Sequence, residues 1–510
     1  MTRLIMFAIP FLLLLPAGQA GAGSLMDYVA GAGDGRYEAE CQKKETAHAR
    51  AVKLVRYVPA HLRVFFWNAR PDLQMKTVDE ETLVAALKKE GIPRLIVKAR
   101  GGLGKTRLAD SLDAQICGHV PVFRLDVGND IIPALNGGRL PKDLFEGLIE
   151  RALGANGKDR GVLEKGLKQG PWVLLVDALD EVAASQRPAV VEAIENLRKR
   201  YPGRGSVVIF SRPPVFSDHY GLQGLEAVFA IDPLDCAAAR RRVDTFLKNG
   251  ATVDGFWRFA KVNGLDHQTQ PMGRCVYRHL STYRDIQVVL ALAANAAFQP
   301  FPKEFEANRA SVYRKYVKQV MGHSKQGGGT VLDDMAILEG MMDAVEPSKG
   351  IRVLWFTSAL CEKVAGVQGR KGAKAVCRGL LGSQLFERHA QREQWRFKNQ
   401  SITDFLLADW AERWMTSQKG EPDCSALFKL SSLVASGEVA GFLVGLARGS
   451  RCVVDIVEQL CEKGIGWHDA ATLVDQGLSR HVDRKALVVP AERGCARTVI
   501  DAVKGMGSSQ

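Results

Sequence analysis

The 510-residue chain contains ten cysteines and ten histidines, yet no C-x-x-C pair, no H-E-x-x-H and no C-x-E arrangement. The missing spacings argue against a zinc site. Ten cysteines scattered over 510 residues (41, 117, 236, 275, 361, 377, 424, 452, 461 and 495) are also too thin for the disulfide frameworks of small secreted domains. Reduced, mostly buried thiols are expected. The longest apolar run near the start, Leu4 to Leu15, falls short of the ~20 residues that span a bilayer. No repeat of fixed period is strong enough to indicate a solenoid.

Charge is biased in one direction, with a formal net charge of +13. From Ser417 onward Lys plus Arg number 11 and Asp plus Glu number 11, so the excess lies upstream. It includes Arg240-Arg241-Arg242 and the stretch from Arg309 to Lys318. Such runs read as solvated helix faces, with a nucleic-acid or membrane surface as the alternative. The length allows two to four domains with real cores.

From Ile92 the chain alternates between strand-like and helix-like patterns. "RLIVKA", "VPVFRLDV", "PWVLLVDA" and "SVVIFS" are short continuous apolar runs, as expected of strands buried on both faces of a parallel sheet. Helical patterns such as "LPKDLFEGLIERAL" and "RPAVVEAIENLRKRY" lie between them, which predicts an α/β domain. After Pro233 the strand signal fades. "DCAAARRRVDTFLKN", "IQVVLALAANAA", "RASVYRKYVKQVM" and "ITDFLLADWAERWM" read as helices, with a strand-like "QWRFKNQS" before the last. "DEETLVAALKKEG" reads as an amphipathic helix stopped by Gly91, and "GHSKQGGGT" (322–330) as a loop.

The chemistry lies at three strand ends. After "RLIVKA" comes the loop Ala99-Arg100-Gly101-Gly102-Leu103-Gly104-Lys105-Thr106, then a helical segment. Glycines let backbone N–H groups curl around phosphate oxygens, and the helix N-terminus adds its partial positive charge. In such a loop Lys105 reaches the β- and γ-phosphates and the Thr106 hydroxyl ligates Mg²⁺. Ala99 replaces the usual first glycine at a position where the strand has not yet curled. About seventy residues on, "PWVLLVDALDEV" ends an apolar strand in Asp177, a second candidate Mg²⁺ ligand. Asp180 and Glu181 follow, placed to orient or deprotonate an attacking water. "GSVVIFSRPP" ends a third strand in Arg212, which can sense a γ-phosphate. Each has a plainer reading: a core strand leading into an acidic helix start, and a surface arginine at a loop.

The order A-R-G-G-L-G-K-T, hhhhD-A-L-D-E, h-S-R-P resembles the NACHT branch of the STAND P-loop NTPases. Ala178 after the first Asp favours that branch over the NB-ARC one. "FAIDPLDCAAARRRVDTFL" resembles the family's exit from the last strand, and "EANRASVYRKYVKQV" the helix that follows its small helical subdomain. "WRFKNQSITDFLLADW" resembles its winged-helix signature, with Asn399 where the family has a histidine that reaches the ADP β-phosphate. The likeness covers about 90–416. The family's adenine-side proline has no match near Asp285 and Ile286.

The resemblance implies an AAA+-like parallel-sheet core followed by helical and winged-helix-like subdomains and an all-α tail. Its boundaries are 1–23 (signal-like or anchor segment), 24–90 (partly helical leader), 91–232 (nucleotide-binding), 233–330 (helical), 331–416 (winged-helix-like) and 417–510 (short helices). It also implies ATP/ADP and Mg²⁺ as cofactors, slow regulatory hydrolysis and a homo-oligomer on activation. The trigger and effector stay unidentified, and the family's bacterial members suggest antiphage defence or signalling. The alternative is an NTP-regulated transcription factor, against which the neutral tail counts. A metabolic P-loop kinase fits the long helical half poorly.

Residues 1–23 have a basic head, an apolar centre and "PAGQAGAG" with small residues for cleavage, the pattern of a signal peptide. Export conflicts with an ATP switch and reduced thiols. Lys43, Lys44, Arg50, Lys53 and Arg56 further resist translocation. The expectation is a cytosolic body, tethered to a membrane through residues 4–22, with export as the alternative.

Overall fold

The structure, a computed structural model, describes residues 36–507 outside a set of internal segments. The longest of these are 136–171, 213–224, 324–330, 346–353, 418–437 and 479–486. The signal-like residues 1–23, the helix expected over 140–153 and most of the loop expected over 322–330 lie outside the described residues.

A seven-stranded sheet organises the first half. Its strands are β1 (His61–Trp67), β2 (Thr77–Asp79), β3 (Arg94–Lys98), β4 (Val122–Asp126), β5 (Trp172–Asp177), β6 (Gly205–Ser211) and β7 (Ala227–Ile231). The spatial order is β2-β1-β7-β3-β6-β5-β4. β7, β3, β6, β5 and β4 run parallel, while β1 pairs antiparallel with β7 and with β2. β5 and β6 are buried at every residue, as their unbroken apolar runs require. The strands at 94–98, 122–126, 172–177 and 205–211 fall where the apolar runs place them. β1 and β2 do not follow from the patterning of a partly helical leader. Residues 61–79 instead extend the sheet at its edge.

Helices cover both faces. On one side Cys41 of α1 (Arg36–Lys53), Leu83 and Leu87 of α2 (Glu80–Lys89) and Leu108, Leu112 and Ile116 of α3 (Lys105–Ile116) pack on Leu95, Val97, Val173, Leu175 and Phe210. On the other, Val190, Val191 and Ile194 of α4 (Arg187–Arg200) cover Phe123, Leu125, Trp172, Leu174 and Val176. Alternate residues of β5 thus feed two cores, the three-layer solution for a parallel sheet.

The second half is mostly helical, and one continuous core serves it. It runs through α5 (Cys236–Leu247), α6 (Gly250–Val262), the hairpin β8 (Gln268–Thr269) and β9 (Val276–Tyr277), α7 (Tyr283–Asn295), α8 (Arg309–His323) and α9 (Val331–Ala344). A small antiparallel sheet of β10 (Phe356–Thr357), β11 (Phe386–Arg388) and β12 (Gln394–Phe397) is accompanied by α10 (Ser358–Val367), α11 (Ala373–Leu381) and α12 (Gln400–Ser417). Thr282 and Thr357 cap α7 and α10, each accepting a backbone N–H three residues on. The chain ends in α13 (Glu438–Leu446), α14 (Ser450–Glu462), α15 (Trp467–Gly477) and α16 (Gly494–Gly507). No described helix is long and apolar enough to cross a membrane.

The cysteines overturn the expectation of thiols. Cys41–Cys117, Cys236–Cys275, Cys361–Cys377 and Cys461–Cys495 form disulfides, with Cα–Cα distances of 5.4–6.0 Å. Cys452 is disulfide-bonded as well, and no cysteine among the described residues is free. Partners 16 to 76 residues apart meet only through tertiary packing, so no local spacing announced them. Cys41 and Cys117, for example, join α1 to the residue that caps α3. Reduction should lower unfolding stability by about 2–5 kcal/mol for each bridge lost. The check is a pair of denaturant titrations with and without reductant, alongside thiol counting on the unfolded, unreduced chain. Full reaction of its cysteines before reduction would return them to the thiol reading.

Candidate functional site

The carboxyl ends of β3, β5 and β6 converge on the loop between β3 and α3. Gly102 and Gly104 have φ of +78° and +95°, so the loop needs the left-handed conformations that glycine adopts without strain. Crowding adds a second constraint at Gly102, where a Cβ would stand 2.6 Å from the Arg284 Cβ. Ala99 still belongs to the sheet, its N–H donating to the Ser211 carbonyl at 3.0 Å, which explains why a methyl group is accepted there. Lys105 is turned back into the loop and donates to the Ala99 carbonyl at 3.0 Å. Burial lowers its pKa, opposed by the charges of Asp180 and Asp177.

Asp177 ends β5 beside α3. Burial raises its pKa, opposed by Arg124 and by a hydrogen bond from Thr106. Arg124 approaches one oxygen at 3.5 Å, while the other, Oδ1, is buried with no hydrogen-bond partner. A hydroxyl and a carboxylate in contact, with an orphaned acceptor between strand and helix, are the donors a hard divalent cation takes. Ala178 follows at φ +65°, a strained position for a residue with a side chain, and turns the chain so that Asp180 points back under β6.

Asp180 accepts from the Arg212 N–H at 3.1 Å and pairs with its guanidinium at 3.2 Å. Arg212 also donates to Asp404 of α12. The three groups are buried, so Arg212 is no surface arginine; it joins the sheet to the helical half. Glu181 stands apart, about a fifth exposed and 3.8 Å from Arg396 of β12. Burial pushes its carboxyl up to about 8 in spite of that arginine.

The loop with Asp177, Asp180 and Arg212 therefore gathers at one edge of the sheet, while Glu181 faces β12. The structure adds groups from the second half, of which the sequence marked Asn399 and the neighbourhood of Asp285 but not Glu438 or the role of Arg309. Glu438, the first residue of α13, accepts from the Gly101 N–H at 3.0 Å and from Arg100 Nε at 3.1 Å, and also pairs with Arg309 of α8. Arg309 reaches Asp285 as well, at 3.4 Å. Asn399 takes the amide orientation in which its oxygen accepts from both Arg284 Nη atoms, at 3.2 and 2.8 Å. Beside Leu103 and Gly104 lies a small pocket, lined among others by Pro59, His61, Pro233 and Tyr283. Its walls come from segments more than 200 residues apart in sequence.

The order β7-β3-β6-β5-β4, with the glycine loop after β3 and the acidic strand end at β5, is that of an AAA+-like P-loop NTPase fold. No family model and no curated protein matches the chain. Solved structures do. Cdc6p from Pyrobaculum aerophilum is 13% identical, with 65% of this chain and 92% of that one covered and a TM-score of 0.30. The Orc1 protein of Aeropyrum pernix, solved in complex with DNA, is 15% identical over 66% and 92%, with a TM-score of 0.32. A signal transduction ATPase with numerous domains from Pyrococcus horikoshii, carrying a tetratricopeptide repeat sensor, is 11% identical over 84% and 64%, with a TM-score of 0.31. Likenesses this low add nothing to what the strand order and the loop establish.

Removing one member of a buried ion-pair cluster leaves charge without a partner, at a cost of about 3–5 kcal/mol. Arg212→Ala should therefore destabilise the chain by that amount, read in denaturant titrations. A change below ~1 kcal/mol would mean that Asp180 and Asp404 are solvated without it.

Proposed function

We propose that the chain is an ATP-dependent switch of the STAND kind, in its NACHT branch. The observation that carries this reading is the orphaned Asp177 oxygen next to Thr106, with Lys105 in the same loop. In this reading backbone N–H groups of residues 101–106 hold the β- and γ-phosphates and Lys105 supplies the cation aimed at them. Thr106 and Asp177 would hold Mg²⁺, which, when bound, neutralises charge on the phosphates. In this reading the base would lie on the side of the loop where Leu103, Gly104 and Tyr283 line a pocket. Glu181, whose carboxyl is pushed up to about 8 by burial, would take a proton from water, and Asp180 with Arg212 would orient around the transferred phosphate.

Residues 91–232 with strands β1 and β2 form the nucleotide-binding unit, 233–330 a helical unit, 331–416 a winged-helix-like unit and 417–510 the tail that meets a trigger. Opening would expose surfaces for a homo-oligomer that engages an effector. A role in defence or signalling rests on the family resemblance.

Lys105→Ala should abolish tight binding of labelled ATP. Glu181→Gln should keep binding and lose hydrolysis by about 10²-fold or more. The wild-type rate should rise with pH through about 8 as Glu181 loses its proton. Equal binding by the Lys105→Ala chain would refute the phosphate-loop reading, and equal turnover by Glu181→Gln would remove that residue from the chemistry.

The paired cysteines remove the thiol argument for a cytosolic body and count toward the export alternative. An alkaline phosphatase fused after Gln510 should then be active, whereas an inactive fusion on a chain with reactive thiols would return the body to the cytosol.

A further inference from the structure

A carboxylate has settled where the loop offers its hydrogen bonds. Glu438 lies about 330 residues beyond the loop in sequence, yet its Oε1 accepts from both the Gly101 N–H and Arg100 Nε. Its other oxygen is held by Arg309. Burial opposes its charge, yet Arg309, Arg100 and Arg212 hold the carboxyl well below the usual carboxylate range. A planar anion that takes a backbone N–H and two guanidinium donors is bound as a phosphoryl group is bound. Arg309 Nη2 is buried there with no hydrogen-bond partner, so the cage keeps a donor that Glu438 leaves unused. A phosphate, with three peripheral oxygens, accepts more.

We propose that Glu438 is a built-in phosphate surrogate: it occupies an anion site made by Gly101, Arg100 and Arg309, and a nucleotide phosphate takes that site when α13 withdraws. The proposal rests on the nucleotide-switch reading and names the group that regulates it. Arg309 then has two partners in turn, Glu438 in the closed form and phosphate in the open one.

The position of α13 is set by packing, so Glu438 is presented and held. Residues Glu438 to Val444 are all buried. Phe442 stacks edge-on against Tyr313 of α8 and Phe405 of α12, with ring centroids 4.9 and 5.7 Å apart, and Arg309 lies 4.7 Å over the same ring. Gly441 and Gly445 let α15 approach closely: a Cβ on Gly477 would stand 2.4 Å from the Gly441 carbonyl oxygen. α13 packs against both α15 and α8, so in this proposal a partner that displaces α15 would act on the residue in the loop through α13.

Binding of labelled ATP and of inorganic pyrophosphate to the full chain tests this, comparing wild type, Glu438→Ala, Glu438→Gln and Lys105→Ala. The expected result is affinity tighter by about tenfold or more in both Glu438 variants, within the usual span of coupling between sites. Pyrophosphate should also raise their thermal midpoints more than it raises that of the wild type, since it restores an anion to Arg100 and Arg309. Should either variant fold poorly alone, pyrophosphate should rescue it; failure to rescue counts against the site. Glu438 variants that bind as wild type does, while Lys105→Ala binds worse, overturn the surrogate and leave the phosphate loop standing. If no folded chain binds ATP or pyrophosphate at all, the surrogate and the nucleotide reading both fall.

Discussion

Backbone N–H groups and guanidinium ions gathered around one glycine loop demand negative charge, and the packing of the whole chain answers that demand. The loop cannot be buried without an anion, since unpaired donors and cations in a low-dielectric setting are costly. Here the sheet supplies Asp177 and Asp180, α12 supplies Asp404, α7 supplies Asp285 and α13 supplies Glu438. The contact between the two halves is therefore an electrostatic solution as much as an apolar one. Its apolar part sets distances, and its charged part decides which groups may face the loop.

The loop, the acidic strand end and Arg212 were legible because each follows a buried strand of continuous apolar residues, and a helix or turn starts within a few residues. Those are local signals. β1 was not legible: "HLRVFFW" alternates poorly, with Phe65 and Phe66 adjacent, and it pairs through an irregular register with a strand about 165 residues away. Glu438, Arg309 and Asp404 escaped for the same reason. A glutamate before "VAGFLVGL" reads as a helix start, and only the fold carries it to Gly101.

The cysteines failed differently. Their number was plain, but density over a long chain is a poor guide when the partners are brought together by helices and sheet rather than by loops. Arg212 is an instructive middle case, for its place at the strand tip was predictable and its burial between two carboxylates was not.

The four described disulfides share a property that bears on motion. Each closes within one stretch of the chain: 41–117 within the sheet half, 236–275 in the helices that follow, 361–377 beside the small sheet, 461–495 in the tail. The contacts that hold the halves against each other, from Arg212 to Asp404, Arg396 to Glu181 and Arg100 to Glu438, are all non-covalent. Oxidation thus stiffens the pieces while leaving their hinges unlocked. Such a molecule can rearrange as a set of hard plates on soft joints, so the work of opening is spent at the joints and little is lost in deforming the plates.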